Sequence, residues 1–313
     1  MVTDQAHVAQ GITLRLGTRS SALARWQADW VSAQLTARGV RIEMIHIATK
    51  GDVTAGPLGT IGGQGVFTKE IQRALLDQTI DLAVHSLKDL PTEPVAGLGL
   101  AAVPPRESVR DVLVARAADA WERLPTGARI GTGSIRRRSQ LLYARPDFEI
   151  LDIRGNVDTR LRKLDENQYD AIILAQAGLV RLGLGSRITQ VIPAEVMLPA
   201  VGQGALGIET RTADATTRQI VAALDDAATH SSVLAERALL ARLRAGCLAP
   251  VGAWGRVEDG QLRLDAVVLS HDGQQRLTAA ATGAPTAAEQ LGIQVADELL
   301  AAGADALIAT ARR

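Results

Sequence analysis

A single cysteine is the first residue of this sequence that could carry covalent chemistry. Cys247 lies between Gly246 and Pro250, where the pattern predicts a turn after a helix. Arg242 and Arg244 are near it in sequence, and a cation close to a thiol favours the reactive thiolate. The alternative is a small buried hydrophobic residue, which is the common fate of a free cysteine.

A second group of reactive side chains, HSLKD at His85–Asp89, ends a predicted strand. Ligands of open α/β sheets bind at the carboxyl ends of strands, which is where Lys88 and Asp89 would lie. A carboxylate there can stabilise a developing positive charge or transfer protons, and an ordinary surface Lys–Asp pair is the alternative. We expect His85 to pack within the strand. The five histidines show no spacing typical of metal ligands, so we predict no metal.

Arginines cluster between residues 136 and 162. GTGSIRR at Gly131–Arg137 and IRGNVDTR at Ile153–Arg160 both have the form of a strand, a glycine turn and a helix start, where backbone N–H groups bind anions. Charge-assisted hydrogen bonds contribute about 1.5–3 kcal/mol each, so several would hold a molecule with many carboxylates. We expect this role for Arg136, Arg137, Arg154 and Arg160. A solvated basic face is the alternative, and we expect it for Arg138, Arg145 and Arg162.

The segment Gly51–Gly65 is rich in glycine and has no clear periodicity. Long loops without secondary structure in compact domains are often lids over a site. A mobile surface loop is the alternative.

Composition excludes several classes of function. Hydrophobic residues make up 47% of the 313 residues, which is enough for buried cores. Lys and Arg balance Asp and Glu at 34 each, so no overall field attracts nucleic acid or an anionic membrane. No apolar run approaches the roughly 18 residues of a membrane-spanning helix. With one cysteine and no secretory signal before Gly11, we expect a cytoplasmic protein.

Short apolar runs alternate with amphipathic segments, which predicts an α/β fold with mostly parallel sheets. The predicted strands are Ile12–Thr18, Ile42–Ala48, Leu82–His85, Asp111–Val114, Ala128–Gly131, Ile150–Ile153 and Ala171–Leu174. The predicted helices run from Ser20 or Ser21 to Arg38 and over Phe67–Leu76, Ser134–Leu142 and Val157–Leu164. After about Ala227 a helix, short strands and a final helix predict a small α+β domain.

Taken in order, these segments resemble the porphobilinogen deaminase family. The matching stretches are TRSSALARWQA at Thr18–Ala28, TKGD at Thr49–Asp52, GGQGVFTKE at Gly62–Glu70, HSLKD, GTGSIRRRSQL at Gly131–Leu141, RGNVDTRLRKL at Arg154–Leu164, YDAIILAQAGLVRLGL at Tyr169–Leu184, LPAVGQGALGIE at Leu198–Glu209 and AGC at Ala245–Cys247. One such motif alone would be weak, whereas so many in this order are highly specific.

The resemblance implies two doubly wound α/β domains like those of periplasmic binding proteins, facing across a cleft. It also implies a small α+β third domain that carries the cysteine. On this basis we predict domain 1 at residues 11–104 and 199–224, domain 2 at residues 105–198 and domain 3 at residues 225–313.

The resemblance further implies a transferase of heme biosynthesis that acts as a hydroxymethylbilane synthase. Four porphobilinogen molecules would condense head to tail on a dipyrromethane cofactor, with loss of ammonia, before water releases hydroxymethylbilane. The cofactor would be joined to Cys247 by a thioether, and Asp89 would be catalytic. Cofactor- or substrate-binding residues would be Arg19, Ser21, Lys88, Ser134, Arg136, Arg137, Arg154, Arg160 and Arg181. The lid would include Gly62, Gly63, Gln64, Gly65 and Phe67. The expected partner is the small molecule porphobilinogen, bound by a monomer that contacts neither nucleic acid nor membrane.

Three positions depart from the family pattern. Thr60 and Gln64 stand where the family usually has lysines, and Ala245 replaces the usual glycine before Gly246. Two rival functions also remain open from the residues alone. A solute-binding module would have paired α/β domains and an arginine cleft, and an acyl transferase with a cysteine nucleophile would need a histidine base brought close by the fold.

Overall fold

The structure is a computed structural model that describes residues 11–49, 68–246 and 249–311. The chain divides into two compact units, which we call unit 1 (Met1–Arg106 with Ala205–His230) and unit 2 (Glu107–Gly204 with Ser231–Arg313). Apart from residues 105–106 and 225–230, the predicted second and third domains both fall in unit 2, and the three-domain division stays a prediction.

Strands and helices alternate through the first two-thirds of the chain. The strands are β1 (Thr13–Thr18), β2 (Arg41–His46), β3 (Leu82–Ser86), β4 (Leu98–Ala102), β5 (Asp111–Ala115), β6 (Arg129–Gly131), β7 (Glu149–Leu151), β8 (Ala171–Ala175), β9 (Gln190–Val191), β10 (Leu206–Arg211), β11 (Val251–Glu258), β12 (Gln261–Leu269) and β13 (Arg276–Gly283). The α-helices are α1 (Ala22–Thr36), α2 (Lys69–Leu76), α3 (Ile135–Ala144), α4 (Val157–Asp165), α5 (Gln176–Arg181), α6 (Ala215–Val221), α7 (Ala227–Arg242), α8 (Ala288–Ala301) and α9 (Ala304–Ala311).

The two large sheets share one topology. The sheet of unit 1 has the order β2-β1-β3-β10-β4, and the first sheet of unit 2 has the order β7-β6-β8-β5-β9. In each, the first three strands are parallel and the fourth is antiparallel to both neighbours. The sheets are therefore mixed, whereas the sequence predicted mostly parallel ones. Consecutive parallel strands are joined by a crossover connection, usually a helix. β10 does not follow its neighbour β3 in this way, because the chain first passes through residues 107–204 and then returns to the sheet in the opposite direction.

Both large sheets are covered on two faces, as in a doubly wound fold. Successive residues of a strand point to opposite faces. In β5, Leu113 packs into one buried cluster with Ile130, while Val112 and Val114 pack into another with Ile172. The α/β class predicted from the sequence is confirmed by this arrangement.

A small α+β domain follows within unit 2. Strands β11, β12 and β13 form an antiparallel meander. Asp259 and Gly260 connect β11 to β12 with φ angles of 49° and 75°, the backbone that a tight two-residue hairpin requires. Helix α8 crosses close to α7, because a Cβ at Gly292 would collide with the carbonyl oxygen of Ala235. This helix pair and the sheet enclose one apolar core.

Candidate active site

Two polar turns of unit 1 lie at the same edge of its sheet. The first joins β1 to α1, where Ser21 caps the helix by accepting a hydrogen bond from the Ala24 amide at 3.3 Å. Arg19 lies in this turn and is partly buried. The second turn follows β3 and is one turn of 3-10 helix, Leu87–Asp89.

The register of the sheet brings these turns together. Gly17 of β1 pairs with Ala83 of β3 in a parallel ladder, so the residues that follow both strands emerge at one edge. A hydrogen bond of 2.8 Å from the Gln27 side-chain amide to Ser86 Oγ links α1 to the end of β3. Arg19, Ser21, Lys88 and Asp89 are thus gathered at the carboxyl edge of parallel strands, where such folds bind ligands.

The buried Leu87 anchors the turn that carries Lys88 and Asp89. Its amide donates to the Ala205 carbonyl oxygen at 3.0 Å, and the Leu90 amide closes the turn on the Leu87 carbonyl at 3.1 Å. Lys88 and Asp89 follow this anchor directly and are both partly buried. The turn therefore presents a cation and a carboxylate from a fixed backbone.

His85 lies inside unit 1, as the sequence analysis expected. Its Nε2 atom is 3.0 Å from Glu209 Oε2, and the other oxygen of Glu209 accepts a hydrogen bond of 2.9 Å from Gln72. All three side chains are buried. The histidine thus has a polar partner within the sheet packing.

In unit 2 the predicted order of strand, glycine turn and helix start is present after β6. Ser134 caps α3, and its Oγ accepts from the Arg137 amide at 3.4 Å. The side chains of Arg136 and Arg137 do not extend into solvent but are buried. The turn therefore fixes the helix that carries both arginines.

Asp111, at the start of β5, holds these two arginines. Its Oδ1 accepts from Arg137 Nε at 3.0 Å and from Arg137 Nη2 at 2.8 Å, and Arg136 Nη1 lies 2.8 Å from Oδ2. Burial alone would raise the pKa of Asp111, but the two guanidinium groups outweigh it and lower the pKa to about 2. Sequence reasoning read Asp111 only as the first residue of a strand. An acid at the head of the apolar run DVLVA was the available signal.

The cluster keeps an excess of positive charge. Two buried guanidinium groups face one carboxylate, and burial lowers the pKa of Arg136 in spite of that neighbour. Arg136 Nη1 also donates to the Leu198 carbonyl oxygen at 2.6 Å, yet its Nε has no hydrogen-bond partner among the described residues. Arg137, by contrast, directs Nε, Nη1 and Nη2 to protein acceptors. A carboxylate ligand beside Arg136 would compensate the excess charge.

The turn after β7 lies against the turn after β6. A Cβ at Gly133 would lie 3.4 Å from Arg154 Cζ. Arg154 pairs with Asp152 at 2.9 Å, and Arg160 Nε donates to the Gly155 carbonyl oxygen at 2.7 Å. Asn156 precedes α4 without making a side-chain cap, so its own side chain does not satisfy the first amides of the helix.

Arg181 ends helix α5 and is buried. Its Nη2 donates to the Gly204 carbonyl oxygen at 2.7 Å. Burial lowers the pKa of Arg181, and the nearby Glu107 opposes that effect. Gly204 has a φ of +84°, and a Cβ there would meet the carbonyl oxygen of Glu107, so only glycine fits this contact.

Two of the three arginines expected on a solvated face are engaged within the protein. Arg145 binds Asp147 at 2.7 Å and stacks on Phe148, with its Cζ 4.3 Å from the ring centre. Arg138 donates to the Ile150 carbonyl oxygen at 3.1 Å. That expectation was wrong for both. Arg138 donates to a carbonyl of β7, and Arg145 donates to carbonyls near Leu124 as well as to Asp147, and the spacing of residues along α3 does not reveal these acceptors. Arg162 is exposed, as expected.

Family comparisons give these arrangements a context. The family model described as porphobilinogen deaminase, dipyromethane cofactor binding domain, matches residues 14–219. The model described as porphobilinogen deaminase, C-terminal domain, matches residues 231–301. The chain belongs to the porphobilinogen deaminase family.

A porphobilinogen deaminase is a hydroxymethylbilane synthase, so the activity, substrate and cofactor predicted from the sequence are confirmed at family level. The chain is a transferase of porphyrin biosynthesis that joins four porphobilinogen molecules into linear hydroxymethylbilane. Its cofactor is dipyrromethane. The rival solute-binding and acyl-transferase functions are set aside by the same matches.

The solved structures that match this chain share little sequence with it. A periplasmic substrate-binding protein of an ABC transporter from Coxiella burnetii is 16% identical, with a TM-score of 0.43, and the match covers 67% of this chain and 91% of that one. A lipoprotein of the YaeC family from Enterococcus faecalis V583 is 13% identical, with a TM-score of 0.43, over 68% of this chain and 91% of that one.

Several predicted site residues of this chain lie outside the described residues. These are Cys247, the lid residues Gly62, Gly63, Gln64, Gly65 and Phe67, and the departures Thr60 and Gln64. The roles predicted for the other site residues also stay predictions. The structure brings together the turns of Arg19, Ser21, Lys88 and Asp89 in unit 1, and the turns after β6 and β7 in unit 2.

Glu236 is a residue that sequence reasoning missed, on the helix that leads toward the cysteine. It is fully buried in α7, where Oε2 accepts from the Gly202 amide at 2.7 Å and Oε1 from the Gly255 amide at 2.8 Å. The carboxylate thereby ties α7 to the turn before Ala205 and to β11. An acid in an otherwise Ala- and Leu-rich helix was the signal.

No metal centre or membrane span emerges from the part of the chain that the structure describes. Within residues 11–49, 68–246 and 249–311, no three His, Cys, Asp or Glu side chains are grouped so that they could hold a metal ion. Over the same ranges, no helix has the length and hydropathy needed to cross a membrane.

Proposed function

We propose that this chain makes hydroxymethylbilane on a dipyrromethane cofactor attached to Cys247 through a thioether, with Asp89 as the catalytic carboxylate. The observation that carries the proposal is the buried positive charge of Arg136 and Arg137 within the cofactor-binding family match. Two guanidinium groups share one carboxylate, and Arg136 Nε has no partner among the described residues. A cofactor that brings several carboxylates fits this site, because buried charge needs compensation.

The chain's own residues would divide the work by charge. Arg136, Arg154, Arg160 and Arg181 would bind acetate and propionate groups, with Ser134 and the uncapped start of α4 supplying further donors. When bound, the dipyrromethane supplies the nucleophilic α-carbon to which the first substrate unit is joined. Arg137 would act mainly by holding Asp111 and the wall of the site, because its nitrogens already donate within the protein.

The turn after β3 would handle the charge of the substrate pyrrole. Asp89 would stabilise positive charge at the pyrrole nitrogen and pass protons, while Lys88, Arg19 and Ser21 would bind substrate carboxylates. The fixed backbone of the 3-10 turn supports this assignment, because a positioned carboxylate needs no reorganisation as charge develops. A cytoplasmic monomer is part of the proposal, and light scattering of the purified protein tests the monomer.

Intact-mass measurement tests the attachment site. The native protein should be heavier than its sequence by two pyrrole units, and Cys247→Ser should lose that increment together with activity. An unmodified Cys247 thiol in protein that still turns over porphobilinogen would overturn the proposal.

Replacing the catalytic carboxylate tests the second part. Asp89→Ala should fold normally and still carry the mass increment of bound pyrrole units. Its turnover should fall at least about 10²-fold, which is the lower end expected for the loss of an acid–base group. Circular dichroism and thermal unfolding provide the control for folding. Activity close to that of the native protein would refute the role of Asp89.

A further inference from the structure

Arg154 is paired with a carboxylate of its own turn. Asp152 Oδ2 lies 2.9 Å from Arg154 Nε, and the side chains are 54% and 33% exposed. Within the described residues, the other two nitrogens of Arg154 make no hydrogen bond. The pair is therefore accessible, and the outer end of the guanidinium group is open to a second acceptor.

The backbone beneath this pair is fixed from two sides. Tyr169 Oη donates to the Asp152 carbonyl oxygen at 2.8 Å, and Lys163 Nζ donates to the Arg154 carbonyl oxygen at 3.2 Å. Because both carbonyl oxygens accept hydrogen bonds, the backbone of Asp152 and Arg154 is fixed, and so are the positions of their Cα–Cβ bonds. Their contact follows from this turn rather than from a flexible surface.

Gly133 leaves room for the pair over the neighbouring turn. A Cβ at this position would lie 3.0 Å from Asp152 Oδ1, 3.4 Å from Arg154 Cζ and 2.9 Å from the Ile153 carbonyl oxygen. A side chain there would push the carboxylate or the guanidinium aside. The carboxylate of Asp152 thus lies directly beside the start of α3, in the region that the proposed function gives to substrate or cofactor carboxylates.

We propose that Asp152 sets the affinity of this site by competing with a ligand carboxylate for Arg154. The inference rests on the proposed function, in which Arg154 binds carboxylates. An exposed ion pair contributes only about 0–1 kcal/mol, so an incoming carboxylate can displace Asp152 or bind beside it against repulsion. Asp152 thereby limits how tightly any one acid group is held, which suits a site that must let a growing chain move on.

The test removes the charge and keeps the shape. Asp152→Asn should lower the KM for porphobilinogen by about two- to fivefold, the factor that corresponds to an exposed ion pair, and should not raise kcat. Intact mass at limiting porphobilinogen should show a larger fraction of protein carrying bound pyrrole units. If Asp152 had only a structural role, its replacement would not lower the KM at an unchanged kcat, and it would not increase the fraction of protein carrying bound pyrrole units.

Asp165→Asn is the matched control. Asp165 lies at the other end of α4 and binds Arg187 at 2.6 Å, with side-chain exposures of 56% and 36% that are close to those of Asp152 and Arg154. This substitution removes the same charge, but from the last residue of α4 and from Arg187 rather than from Arg154. Its KM should equal that of the native protein.

Arg154→Gln separates the inference from the proposed function. It should raise the KM, and adding Asp152→Asn to it should have no further effect. An unchanged KM in Arg154→Gln would refute the carboxylate-binding role of Arg154. A raised KM in Arg154→Gln, together with an Asp152→Asn variant that matches Asp165→Asn or binds more weakly than the native protein, would overturn the inference alone.

Discussion

Asp111, Arg136 and Arg137 are each buried by more than nine-tenths, and together they carry two positive charges and one negative charge. Such a group is stable only if its geometry is good and its remaining donors find acceptors. The Leu198 and Ile173 carbonyl oxygens serve two of those donors. Asp111 therefore controls the positions of both arginines, although it would not itself touch a ligand.

Asp111→Asn should destabilise the protein by about 3–5 kcal/mol, because it leaves two buried guanidinium groups without a counter-charge. Urea unfolding at neutral pH measures the loss. Asp170→Asn, which removes a more exposed partner of an arginine, should cost much less. Equal losses of unfolding free energy in the two variants would show that the buried pairing contributes no more to stability than the more exposed one.

The pKa of Asp111 also predicts the response to acid. Its pKa of about 2 lies below the ordinary value of 3.8, so its stabilisation is present above pH 4 and is lost as the pH falls toward 2. The native protein should therefore lose stability over this interval more steeply than Asp111→Asn, which cannot titrate there. Unfolding free energies at several pH values check the difference in slope.

At the scale of elements, the two large sheets carry the same Arg–Asp clamp. Arg15 of β1 binds Asp81 through its backbone amide, Nε and Nη2, and Arg129 of β6 binds Asp170 through the same three groups. In each case the clamp joins a residue of a central strand, the third of β1 or the first of β6, to the residue before its parallel neighbour. Within each sheet, the clamp therefore fixes one central strand against its parallel neighbour, at the edge opposite the turns that follow these strands.

The two clamps should differ in strength. Asp81 is less exposed than Asp170, at 13% against 33%, and also accepts from Arg211 at 3.1 Å. Asp81→Asn should therefore cost about 1.5–3 kcal/mol, whereas Asp170→Asn should cost about 1 kcal/mol or less. Chemical denaturation of both variants gives the order, and a reversed order would contradict this account.

For the whole molecule, the balance of 34 basic and 34 acidic residues means that attraction for a polycarboxylate substrate is local. Exposed charges interact over about 10 Å at 0.1 M salt. The net charge adds little steering beyond that range. Binding should consequently depend on salt through the arginine turns alone.

Raising KCl from about 0.02 M to about 0.5 M should increase the KM for porphobilinogen, with a smaller change in kcat, because screening weakens exposed arginine–carboxylate contacts. Steady-state kinetics at constant pH measure both constants. The protein's unfolding midpoint, recorded at each salt concentration, controls for general effects on folding. A KM that does not respond to salt would indicate that binding depends little on exposed charge.

Local chemistry made much of this protein predictable from its sequence. Ser21 and Ser134 precede helices and cap them, because a side-chain oxygen can satisfy an amide three residues ahead without help from the rest of the fold. The strands, the glycine turns and the family motifs could likewise be recognised in short stretches of the sequence. The edge positions of Lys88 and Asp89 followed from the general rule for α/β sheets.

Only the tertiary structure decided which distant groups meet. Asp111 lies 26 residues from Arg137, and Glu236 lies 34 residues from Gly202, so no local pattern predicted either contact. The antiparallel entry of β5 and β10 and the hydrogen bonds of Arg138 and Arg145 to backbone carbonyls also depend on long-range packing. The conformational propensities of short segments determine the local backbone, whereas charge pairing and strand direction depend on contacts between residues that are far apart in the sequence.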